Sequence, residues 1–267
     1  MKLSRLTRSW IILSILVVAA VAYELFERQR PQDQEAGENQ TQPRISRPAS
    51  GEFVLAVTWQ PAFCETRPRT KECRSQTESR FDADHFTLHG LWPGPRGNDY
   101  CGVSNSQKSV DKNRQWRNLR KLELTAATRI ELEQKMPGTQ SYLHRHEWIK
   151  HGTCYSGLSP ERYFSDSLQL LDQINGSGLR RLFVENKART ISANAIQKAI
   201  NTAFGTGAAK AVSIQCRRDG RRNLIVELRF NLKGAIAPDT SLSELMRDAK
   251  PGRSRCRSGV VDRVGLQ

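Results

Sequence analysis

None of the six cysteines forms a CxxC pair, which leaves zinc ribbons and thioredoxin-like motifs without support. HExxH, the helical spacing that brings two imidazoles to one zinc, is also missing. There is no internal repeat and no regular alternation of strands with helices, which argues against a doubly wound α/β sheet. Histidine is absent outside residues 85–151. Acidic residues are scarce: 27 Asp and Glu stand against 42 Lys and Arg in 267 residues, a net charge of +15, and the pI is near 10.0. Residues 1–26 hold Lys2, Arg5, Arg8 and Glu24, so nearly all of the excess lies beyond them. Such a field gathers polyanions and points to nucleic acid or an anionic membrane; a basic surface without a specific partner is the alternative.

A long apolar run occurs only at the start. In "MKLSRLTRSWIILSILVVAAVAYELFERQR" a basic opening precedes an apolar stretch from Trp10 to Tyr23, the pattern of an export signal. Ala20 and Ala22 offer a cleavage site, whereas extension of the run to Phe26 reaches the lower limit for spanning a bilayer. Residues 1–26 are thus a signal anchor or signal peptide. Residues 27–50, rich in Gln, Pro, Arg and Glu, read as a polar disordered linker. Such a spacer suits a retained anchor with its domain held off the membrane. With export, six cysteines imply three disulfides, for which sequence allows 15 connectivities.

From Gly51 to Gln267 the character is that of a folded domain. "EFVLAVTWQPAFC" reads as a strand leading into a loop, and "FTLHGLWP" as a short apolar run closed by Pro93. Three stretches have helical spacing: "ELTAATRIELEQKMPG", "SPERYFSDSLQLLDQI" with Ser159 as N-cap, and "SANAIQKAINTAFG". "AVSIQCRRDGRRNLIVELRFNL" is a hairpin around Asp219 and Gly220. The mixture predicts an α+β domain with a mainly antiparallel sheet.

Within "HEWIKHGTC", residues 146–154, two histidines, a carboxylate and a lysine lie close together. His146 and His151 are five apart, about 140° around a helix, which sets them badly for one metal. Glu147 and His151, at i and i+4, share a face, so the carboxylate is expected to orient that ring. Lys150 adds a fixed positive charge, and His89 adds a second imidazole from "FTLHGLWP". One ring removing a proton, another supplying one and a cation on the phosphoryl oxygens would suit phosphodiester transfer.

"FTLHGLWP" and "HEWIKHGTC", in that order, resemble the two active-site segments of the ribonuclease T2 family. The likeness runs from "LAVTWQPAFC" to the last cysteine and is greatest to the bacterial exported branch. It implies a disulfide-bonded α+β fold with helices flanking a mainly antiparallel sheet. It also implies cleavage of single-stranded RNA, not DNA, through a 2′,3′-cyclic phosphate to 3′-phosphate ends without metal or cofactor. By position, His89, Glu147 and His151 would be catalytic, with His151 as base and His89 as acid. Trp92, His146 and Lys150 would bind substrate, Trp92 by stacking beside a base and His146 by holding the phosphate. The resemblance pairs Cys101 with Cys154, Cys64 with Cys73, and Cys216 with Cys256. Gly94, where many members carry Asp or Asn, implies weak base preference. His85 and His144 receive no role. A basic RNA-binding protein on the same scaffold, with cleavage incidental, is the alternative.

Overall fold

The computed structural model describes residues 49–156 and 159–267. The export segment and residues 27–48 of the expected linker lie outside the described residues. Among the described residues no helix is long and apolar enough to cross a membrane. The first strand, β1 (Ala49–Trp59), begins two residues ahead of Gly51.

Alternation along β1 divides the molecule. Phe53, Leu55, Val57 and Trp59 are buried on one face, while Val54, Ala56 and Thr58 look to the other. β2 (Phe86–Pro93) and β5 (Arg222–Ile236) flank β1, both antiparallel to it. β4 (Val212–Asp219) returns along the opposite side of β5, forming the hairpin legible in the sequence. β3 (Thr190–Ser192) and β6 (Ser258–Val260) complete the order β2-β1-β5-β6-β3. Only the short β5–β6 contact among these strand pairs is parallel.

Nine α-helices lie among the described residues, beginning with α1 (Gln60–Thr66) and α2 (Lys71–Arg74), joined by a Cys64–Cys73 disulfide. A loop was expected where α1 lies; Pro61 is compatible with helix there because an N–H in the first turn has no intrahelical partner to lose. Then come α3 (Asn105–Lys112), α4 (Ala126–Lys135), α5 (Leu143–Lys150) and α6 (Pro160–Asn175). Last are α7 (Gly178–Glu185), α8 (Ala193–Phe204) and α9 (Leu242–Arg247). Ser159 caps α6 by accepting from the Arg162 N–H, as its position predicts. α6 buries Tyr163, Phe164, Leu168 and Leu171, and the Tyr163 hydroxyl donates to the Leu91 carbonyl at 2.9 Å, fixing the helix to β2. Phe86 meets both Trp59 and Phe183 edge to face, and the last two meet each other at a tilt. The disulfides Cys101–Cys154 and Cys216–Cys256 complete the expected set.

Candidate active site

The other face of the sheet is polar because the strand register makes it so. Directly paired residues point to the same side, so Thr58 pairs with Thr87 and Glu227, Ala56 with Gly90 and Arg229, and Val54 with Trp92 and Asn231. In β2 the register slips by one: Ala56 faces Gly90 and Val57 faces Leu88, which leaves His89 unpaired. This bulge reverses the alternation, so Leu88 and Leu91 both reach the core while His89 and Trp92, three apart, share the open face. β5 has a similar slip at Val226, next to Glu227.

α5 lies over this face and delivers Glu147, which is buried. Its Oε2 accepts from the Trp92 indole N–H at 2.8 Å, and its Oε1 is 3.7 Å from His89 Nε2 and 3.8 Å from His146 Nε2. The carboxylate sits against the backbone of β2: a Cβ on Gly90 would lie 2.0 Å from Glu147 Oε2. Only glycine leaves room for that approach.

Each of the three imidazoles has a carboxylate at Nδ1. His89 Nδ1 bonds Glu227 Oε2 at 2.6 Å, His146 Nδ1 bonds Asp111 Oδ1 at 2.7 Å, and His151 Nδ1 lies 3.1 Å from Asp99 Oδ1. A proton on each Nδ1 satisfies those carboxylates and leaves Nε2 for chemistry. The i, i+4 pairing of Glu147 with His151 does not form. His151 stands just past the last residue of α5, with φ −113° and ψ −47°, and Asp99 takes the position behind its ring. The Cys101–Cys154 disulfide joins the segment carrying Asp99 to the turn after His151.

The rings differ electrostatically. Burial alone would push the His89 pKa down, but its hydrogen bond to Glu227 and the charges of Glu147 and Glu227 outweigh that, and it rises above the usual value. Glu227 moves the other way: burial would raise it, yet His89 and Arg229 hold its carboxyl below the usual range. Burial, with the positive charges of Lys150 and the neighbouring histidines, pushes His151 down to about 3.

Trp92 stands between the two rings, its centroid 5.3 Å from that of His89 and 5.6 Å from that of His151. The Arg229 guanidinium lies over its ring at 5.1 Å, and Arg229 Nε donates to Glu227 Oε1 at 2.6 Å. Two clefts of about 920 and 510 Å³ meet here, sharing Lys150 and Arg229. Phe63, Tyr100 and Trp116 line the larger one, and Trp116 stacks on His146 with centroids 4.7 Å apart.

All six residues expected at the site are therefore together. Glu227, Arg229, Asp99, Asp111 and Trp116 were not foreseen, since they come from other elements and only pairing with the motifs marks them. His85 and His144 belong elsewhere. His85 stacks on Phe81, and burial pushes His144 down to about 4 beside a separate cleft.

Paired imidazoles with opposite pKa displacements, buried carboxylates and the cations Lys150 and Arg229 on one face of an α+β sheet define an acid/base enzyme with an electropositive cleft. The ribonuclease T2 family model matches residues 50–243. The chain belongs to that family and is an endoribonuclease of the T2 type. It is 30% identical to ribonuclease I of Escherichia coli over 241 residues, 80% of this chain and 86% of the relative. A ribonuclease of Aeromonas hydrophila is 30% identical over 63% of this chain and 61% of its own length. A crystal structure of a ribonuclease MC1 variant shares the fold, with a TM-score of 0.51 at 21% identity, covering 79% of this chain and 99% of that one.

Proposed function

We propose that the enzyme cleaves single-stranded RNA by transphosphorylation without metal, with His151 as base on the 2′-hydroxyl and His89 as acid on the 5′-oxygen. The opposite displacement of the two imidazole pKa values carries this reading. A ring held down to about 3 is neutral at neutral pH, the form a base needs, and one held above its usual value keeps its proton to higher pH, the form an acid needs. The proton leaves O2′ for His151 Nε2 as O2′ attacks phosphorus, and the P–O5′ bond breaks as His89 Nε2 protonates the leaving oxygen. Hydrolysis of the 2′,3′-cyclic phosphate then runs the same transfers in reverse and yields a 3′-phosphate. DNA, lacking the attacking hydroxyl, is refused.

Lys150 and Arg229 supply positive charge where the phosphoryl oxygens would sit, and His146 holds the phosphate from the other side. Glu147, bonded to Trp92 and near both His89 and His146, orients the acid side of the site. Trp92 acts as a wall between the rings, with the aromatics of the larger cleft available to stack bases. Gly94 brings no side chain to read a base edge, so base preference is weak. A ribonuclease MC1 variant of this fold has been solved with 5′-GMP, which supports a nucleotide site on such a scaffold.

Export to the periplasm or exterior, with residues 1–26 retained as an anchor and residues 51–267 as the catalytic domain, is supported by the basic-then-apolar opening and by three disulfides. Incubating the purified, oxidised protein with single-stranded RNA and with DNA in EDTA, and weighing the product ends, tests the reaction. Cyclic or 3′-phosphate ends from RNA alone are expected. Intact RNA, or activity abolished by EDTA, would overturn it. His89→Phe and His151→Phe should lose cleavage and keep RNA binding.

A further inference from the structure

The C-terminal stretch "GRSRCRS", residues 252–258, alternates small residues with arginines. Positions 252, 254 and 256 face β4. Gly252 lies so near the strand that a Cβ would come within 2.7 Å of the Val212 carbonyl carbon, Ser254 Oγ accepts from the Ile214 N–H at 2.8 Å, and Cys256 is bonded to Cys216. Its odd-numbered positions, Arg253, Arg255 and Arg257, are exposed. Among the described residues none of the three makes an ion pair, and neither do exposed Arg217 and Arg218, which follow Cys216 on β4.

The row starts at the active site. Arg253 lines the smaller cleft with Trp92, Lys150 and His151, and Arg217 lines the larger one. Because residues 252, 254 and 256 meet Val212, Ile214 and Cys216 in step, this part of the chain runs extended and sets Arg253 and Arg255 about 6.6 Å apart, a step comparable to that between successive phosphates of a stretched single strand; Arg257 follows at a bend. A solvated charge run needs neither that spacing nor a start inside the cleft.

We propose that Arg255 and Arg257, with Arg217 and Arg218 beside them, form a distal track that binds the backbone phosphates of RNA nucleotides flanking the scissile bond, so that the enzyme favours long strands over short ones. This extends the reading of the cleft as an RNA site and rests on it. The contacts are to phosphates, so the track adds affinity and no base preference.

The test compares the full chain with its Arg255→Ser/Arg257→Ser double variant on a ribodinucleoside monophosphate and on a 20-nucleotide single-stranded RNA. The variant should cleave the dinucleotide like the parent and lose ~10-fold in kcat/KM on the long strand at low salt. Binding of a 2′-O-methyl 20-mer, which cannot be cleaved, should show a log–log salt slope shallower by about 1.4, the value for two phosphates on a single strand. Arg255→Lys/Arg257→Lys should keep most of both. Unchanged long-strand kinetics and salt slope would overturn the track, as would an equal loss on both substrates, which would mark a structural effect. Loss of binding to phosphatidylglycerol vesicles with RNA behaviour intact would assign the arginines to a membrane surface and also overturn it. Failure of the parent to cleave either substrate would sink the ribonuclease mechanism alone, because the 2′-O-methyl binding still reads the track.

Discussion

At the scale of single residues, Glu227 carries the asymmetry of the site. Its carboxylate accepts from His89 Nδ1 and is in turn held by Arg229. In Glu227→Gln the His89 ring would keep the burial and the Arg229 charge that push it down and lose its hydrogen-bonded anion. The sign follows directly: the protonated form, required for an acid, would be lost at lower pH. The pH profile of kcat/KM should be bell-shaped in the parent, with its acidic limb near 3 from His151 and its basic limb above the ordinary histidine range. In the variant the basic limb should move down by about one unit while the acidic limb stays. A basic limb that does not move would remove Glu227 from the mechanism.

At the scale of elements, the site is a junction between β2 and α5 that closes only over Gly90. Gly90→Ala would drive a methyl group into the Glu147 carboxylate. Overpacking of this kind costs about 1–3 kcal/mol, and displacing the carboxylate should lower kcat by roughly 10–100-fold. Thermal unfolding and steady-state kinetics on one preparation would check both, and full activity would mean that the helix can shift without harm. This junction also divides what was legible in the sequence from what was not. The strand of His89, the capped helix from Pro160 and the Asp219–Gly220 hairpin announce themselves through period, cap and turn chemistry, all local signals. Glu227 lies 138 residues from His89 and Asp111 lies 35 from His146, and neither has a local pattern to mark it. The helix at Gln60 follows a strand directly and carries Pro61 in its first turn, where a proline does not break it but leaves no sequence signal of a helix. The three-residue strands at Thr190 and Ser258 are too short to show alternation. The i, i+4 rule failed for Glu147 and His151 because the helix stops between them.

For the whole molecule, the Cys101–Cys154 bridge closes a span of 53 residues around the catalytic face. Its replacement in Cys101→Ser/Cys154→Ser should cost about 2–4 kcal/mol. It should also depress kcat/KM at temperatures where the protein remains folded, because Asp99, two residues before Cys101, stands behind His151. A folded variant with parental kinetics would reduce the bridge to a stabilising link. The bulge in β2 has a different bearing on the molecule's history. Deleting His89 would leave Phe86, Leu88, Leu91 and Pro93 in unbroken alternation, with the core face intact and a regular ladder against β1. A lineage selected for stability alone has a one-codon route to a tidier strand, and following it would discard the imidazole proposed as the acid. If His89 is the acid, selection for cleavage keeps the extra residue in place, and a homologue with a smooth β2 is expected to bind RNA without cleaving it.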